Sequence, residues 1–170
     1  MKNDKVKTWF HLNWPKEACN SLKTAIACVL EEKNPDSPEI QSLGSDTREM
    51  ILRFLKCDEP LRVSIEDDPD GGIVVKDDDG IFTPETTTDL LSAIMKDHNI
   101  PGSVSFFWYN ESDVDPISGG KAVVSAEIIG VTYSSELYDL HKKANHVAKE
   151  IENIIFQNDE EPDERPFTPF

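Results

Sequence analysis

The residues that could carry metal chemistry stand in two acidic runs. Glu66-Asp67-Asp68-Pro69-Asp70-Gly71 places acids at positions 1, 3 and 5 and glycine at position 6 of a calcium loop, with Asp77 at position 12. An EF-hand needs helices on both sides of its loop. Alternation before this one and valines after it predict strands, so it reads as a solvated hairpin turn. The second run, Glu111, Asp113 and Asp115, would put three carboxylates on one face of an extended chain, where they could hold a hard cation for metal-assisted hydrolysis. No His, Lys or Arg stands beside them to handle protons or substrate charge, so an acidic loop for solubility or partner contact is the better reading.

Other chemistry finds less support. His11, His98, His141 and His146 make no HxxxH pair, and no GxSxG elbow, P-loop or GxGxxG occurs. Cys19, Cys28 and Cys57 are too scattered for a disulfide framework or a zinc site, so three free thiols are expected. No catalytic residue, metal or cofactor is therefore assigned. The most binding-like cluster is aromatic: Phe107, Trp108 and Tyr109 beside the second acidic loop, since rigid aromatic side chains suit interfaces.

Charge narrows the partners. The 170 residues carry 17 basic and 33 acidic groups, a formal charge of −16. Residues 1–57 stand at +1, residues 58–80 at −7, residues 81–157 at −6 and the tail 158–170 at −4. Such a chain repels the phosphate backbone and anionic lipid, so neither nucleic acid nor a membrane is expected as a direct partner. No apolar run approaches the roughly 20 residues of a membrane span, and the first residues lack the apolar core of a signal peptide, which points to the cytoplasm. Duplex DNA carries one charge per about 1.7 Å, so 16 charges correspond to about 27 Å of duplex. A domain of this length has a radius of gyration of about 15 Å, so the density is of the order a DNA mimic requires.

The elements that position these residues follow from periodicity. Lys7 to Asn13 reads as a strand. Pro15 opens a helix with Ala18, Leu22, Ile26, Val29 and Leu30 on one side, and Pro35 to Gly44 reads as a loop. Ser45 and Asp46 offer caps for a helix bearing Met50, Ile51, Phe54 and Leu55. Leu61 to Glu66 and Ile73 to Lys76 make a hairpin. Thr83-Pro84-Glu85 opens a helix with Leu90, Leu91, Ile94 and Met95, and Ser103 to Tyr109 and Lys121 to Ile129 make two more strands. A final helix from Ser134 or Ser135 carries a stripe from Leu137 to Ile155.

The order β-α-α-β-β-α-β-β-α predicts an α+β, two-layer sandwich: a mainly antiparallel sheet of about five strands with helices on one face. Residues 1–157 form the expected single domain. Residues 158–170, acidic and proline-rich, read as a tail that is disordered until bound.

The run Phe107-Trp108-Tyr109-Asn110, a polar loop with Pro116, and Gly119-Gly120-Lys121-Ala122-Val123-Val124 resembles a strand pair of small uncharacterised bacterial proteins of plasmids, phages and other mobile elements. It covers about 20 residues. Where that pattern has a cysteine and basic residues in the loop, this chain has Glu111, Asp113 and Asp115. The resemblance implies a mobile-element origin and no activity.

The leading functional expectation is a non-enzymatic module that engages a basic surface on a partner protein, as an inhibitor or DNA mimic. The contact residues expected are Asp67, Asp68, Asp70, Asp77, Asp78, Asp79, Trp108, Tyr109, Glu111, Asp113 and Asp115. The alternatives are a metal-dependent hydrolase built on the acidic loops and an acidic domain with no charge-led partner.

Overall fold

The computed structural model describes residues 5–111, 119–133 and 146–154. The elements are β1 (Lys5–Leu12), α1 (Lys16–Leu30), α2 (Pro38–Gln41), α3 (Ser45–Cys57), β2 (Ser64–Asp67), β3 (Ile73–Lys76), α4 (Pro84–Asp97), β4 (Val104–Glu111), β5 (Gly119–Val124) and β6 (Ile129–Tyr133). Residues 146–154 are helical as well. The class is α+β. One antiparallel sheet runs β2-β3-β1-β4-β5-β6, so it has six strands where five were expected.

The extra strand comes from a turn inside the stretch Lys121 to Ile129 that periodicity joins into one. The Ser125 hydroxyl accepts bonds from the backbone N–H of Glu127 (3.3 Å) and Ile128 (3.0 Å), and the Ser125 N–H donates to the Ile128 carbonyl (2.8 Å). That local hydroxyl turn reverses the chain, and Ile129–Tyr133 pairs back on β5. The stretch read as a loop also contains α2, which buries Ile40.

Period-two alternation sets the layers. In β1, Thr8, Phe10 and Leu12 are buried while Lys5, Trp9 and His11 face out, and in β4 Phe106 and Trp108 are buried between exposed Ser105, Phe107 and Tyr109. The buried face meets Leu22 and Ile26 of α1, Ile51 and Phe54 of α3, and Leu90, Leu91, Ile94 and Met95 of α4. These are the apolar positions the spacing selects, except that Leu30 is half exposed at the end of α1. Phe10 stacks on Phe106 at 4.3 Å, and Phe82 meets Phe106 edge-on at 5.9 Å.

Helix caps depart from local expectation. Gly44, not Ser45 or Asp46, occupies the N-cap of α3, and the capping group comes from the far end of α4. The Asp97 carboxylate accepts the N–H of Asp46 (3.0 Å), the N–H of Thr47 (2.8 Å) and the Thr47 hydroxyl (2.6 Å). Gly44 must be glycine, because a Cβ there would lie 2.4 Å from that carboxylate. Likewise Thr83, although it is the N-cap of α4, turns its hydroxyl to accept the Arg62 N–H at 2.9 Å.

Burial pushes the Asp97 carboxyl up, but the bonds from Thr47 and Asp46 outweigh it and the net shift is downward. A depressed carboxyl stabilises the fold at pH values above its ordinary value of 3.8 and loses that contribution as pH falls through the lower folded value. Asp97→Asn should therefore cost about 1–2 kcal/mol at pH 7, as the loss of a capping acceptor does. The gap should close as the pH drops below 3.8. Urea midpoints of both proteins between pH 7 and pH 3 check this, and a gap independent of pH would contradict it.

Among the described residues no helix is long and apolar enough to cross a membrane. The last helix is only partly described; its onset at Ser134 or Ser135 and the tail 158–170 lie outside the described residues.

Candidate binding face

With the helices packed on one side, no described element covers the other face of the sheet, called the open face below. Its centre is Trp9 on β1, which leaves 65% of its surface in water although β1 lies between β3 and β4. Register arranges its neighbours. Trp9 stands opposite Lys76, which stands opposite Ser64, and Lys7 stands opposite Tyr109. Phe107, one step beyond the Thr8–Trp108 pair, lies next to Trp9 across the β1–β4 ladder and stands opposite Lys121. Phe107 is 48% exposed and Tyr109 44%, and the Lys121 ammonium sits over the Phe107 ring at 5.5 Å.

The cations of this face are largely balanced. Lys76 bonds Glu66 at 2.6 Å, Lys7 lies 3.6 Å from Asp77, and Lys5 stands opposite Glu111. Lys121 has no acidic partner among the described residues. A face of exposed aromatics with near-zero net charge matches the make-up of protein-contact cores, which are depleted in charge and rich in Trp, Tyr and Phe.

Three of the expected contact residues, Trp108, Asp77 and Asp67, belong elsewhere. Trp108 is buried, because the pairing Thr8–Trp108 puts it on the helix side, where its ring lies 6.0 Å from Phe106, 6.4 Å from Phe82 and 5.5 Å from Tyr133. The indole fits there because the residue opposite is Gly120, where a Cβ would lie 2.2 Å from the Trp108 ring. Asp77 is structural. Its carboxylate accepts the Thr8 N–H (3.1 Å) and the Gly80 N–H (2.7 Å), and these bonds with Lys7 outweigh the upward push of burial and hold the group below its ordinary value.

The remaining acids lie before and after β3, and Asp67, opposite buried Ile73, is on the helix side of the sheet. Asp67 pairs with Lys23, Asp68 lies 3.2 Å from His11, and Asp78 takes the Arg62 guanidinium at 2.8 Å and 2.9 Å. The carboxylates of Asp70 and Asp79 have no ion-pair partner among the described residues. Glu111 ends β4; Asp113 and Asp115 lie outside the described residues. The acidic run therefore contains both structural and free carboxylates. Asp70→Asn with Asp79→Asn should leave thermal stability within about 0.5 kcal/mol, as surface changes do. Asp77→Asn, which exchanges an acceptor for a donor facing two backbone N–H groups, should cost about 1–2 kcal/mol. Thermal melts of the two proteins separate these roles.

Other sites for chemistry are sparse. Glu66 and Asp67 end β2 and residues 68–72 form the expected hairpin turn to β3, and among the described residues no three His, Cys, Asp or Glu side chains come together as a metal site. Ser21 Oγ lies 2.9 Å from His98 Nε2, a contact between helices α1 and α4 that residue spacing gave no sign of. A nucleophile needs a base that a third group orients, and no carboxylate meets His98 among the described residues. Cys19 and Cys28 are buried, and burial pushes both thiols up, away from the reactive thiolate; Cys57 is exposed.

Trp9 is the residue that spacing alone passes over. It belongs to a strand read correctly as a strand, but in opposite phase to Phe10 and Leu12, and that phase was the available signal. No family model, no curated protein and no solved structure matches the chain.

Proposed function

We propose that the protein is a non-enzymatic binding module that seats a partner protein on the open face of its sheet. The observation that carries this reading is Trp9, two-thirds exposed at the centre of that face with Phe107 and Tyr109 beside it. An exposed indole amid aromatic neighbours offers large contact area at low entropic cost, which is the usual composition of binding hot spots. Charge assigns the partner's character. The chain's net charge of −16, with the carboxylates of Asp70 and Asp79 in the turns at the two ends of β3 left without an ion-pair partner among the described residues, favours a partner that is basic around an apolar centre, such as a protein of a nucleic-acid-handling complex. A nucleic acid itself is disfavoured, because Lys7 and Lys76 are already neutralised by Asp77 and Glu66 and the chain as a whole carries −16.

Affinity purification with mass spectrometry, run in parallel on the native protein and on Trp9→Ala at low and high salt, tests the reading. One partner lost with the substitution, and bound less well at high salt, is the expected result. A partner retained equally by both would refute the assignment of the face.

A further inference from the structure

The sheet has two edge strands, and only one of them is guarded. At one end β2 is four residues long and closes on Glu66 and Asp67, whose charges oppose the addition of a further strand. At the other end β6 reads Ile129-Gly130-Val131-Thr132-Tyr133, with no charge, no proline and an unbroken register on β5. The hairpin fixes which of its backbone groups are free. The Ser125 N–H donates to the Ile128 carbonyl, so in the alternating antiparallel pattern Gly130 and Thr132 bond to β5 while the N–H and C=O of Ile129, Val131 and Tyr133 point away from the sheet. No described residue takes these outward groups. The side chains of the same three residues stand opposite Val124, Ala122 and Gly120 on the helix side, yet Ile129 is 40% exposed and Tyr133 55%.

We propose that the β6 edge is a self-association site, at which two copies of the chain pair β6 with β6 antiparallel about a two-fold axis through Val131 and join their sheets into one. The strand is complementary to itself. Centred on Val131, this register sets Ile129 opposite the second copy's Tyr133 and Gly130 opposite its Thr132, so apolar side chains meet on the helix side and the outward backbone groups of both strands pair. Charge names the same occupant. A chain of −16 repels its own copies wherever its acids meet, and β6 holds none; a basic partner gains nothing from an edge without charge. The axis stands perpendicular to the sheet, so both open faces look the same way, and Trp9 on β1, three strands in from β6, stays free for such a partner. The pairing does not depend on that partner.

Sedimentation of the full chain between about 5 and 500 µM tests the proposal, since a short strand pair falls at the low end of stable interfaces. A dimer is expected, and it should tighten as salt rises from about 50 to 300 mM, because screening removes the repulsion between two acidic chains. Partner binding on the open face should weaken over that range, so the two readings fail separately. Val131→Pro removes an N–H that points away from β5, a change an edge strand tolerates, and should weaken the dimer at least about tenfold while the chain still unfolds cooperatively. With the exposed Cys57 replaced by Ser, Val131→Cys should give a disulfide-linked dimer on mild oxidation. Ile129→Cys should not, because four residues of extended strand, about 14 Å, separate that position from its copy. A monomer at every concentration, a dimer indifferent to Val131→Pro, or crosslinking at Ile129→Cys as efficient as at Val131→Cys would each overturn the proposal. Should Val131→Pro fail to fold, the two cysteine variants decide alone.

Discussion

Replacing Trp9 by alanine is expected to weaken partner binding by about 30-fold or more, the loss of about 2 kcal/mol or more that marks a central hot spot. The same change should shift unfolding by no more than about 1 kcal/mol, because the side chain is already two-thirds exposed and contributes only cross-strand contacts with its open-face neighbours. The two effects must separate. A fall in affinity matched by a fall in stability would mean that Trp9 holds the sheet rather than the partner. Binding measured by titration calorimetry beside a thermal melt decides it, and unchanged affinity would remove the face from consideration.

The second large effect lies on the other side of the same sheet. Gly120→Ala is expected to destabilise the protein by about 2–3 kcal/mol, because a Cβ at that position would stand 2.2 Å from the Trp108 ring and 2.7 Å from the Thr132 carbonyl. The indole cannot swing away. Phe106, Phe82 and Tyr133 surround it. Shrinking the ring should relieve part of the clash, so Trp108→Phe combined with Gly120→Ala should be less destabilised than the sum of the single changes. Urea denaturation of the four proteins of this cycle measures the coupling. Additive losses would show that Gly120 is needed for its backbone alone.

Phe107-Trp108-Tyr109 looks binding-like as a run, yet a strand alternates, and only register says which members reach the solvent. Trp108 supplies the core and Tyr109 the surface.

What the sequence by itself determined are the features that depend on local periodicity and turn chemistry: α1, α3 and α4 with their apolar positions, the β2–β3 hairpin with its acidic turn, and the α+β class. Each rests on residues within a few positions of one another. The tertiary structure decided what depends on pairing between distant segments. The Asp97 carboxylate caps a helix about 50 positions away, Asp77 is spent on the backbone of β1, and Trp9 emerges at the centre of an open face because β3 and β4 close on either side of β1. The physical reason is that a side chain's environment in a sheet is set by its neighbours across the strands, and those neighbours here come from positions 64 to 76 and 104 to 111, far beyond any local window.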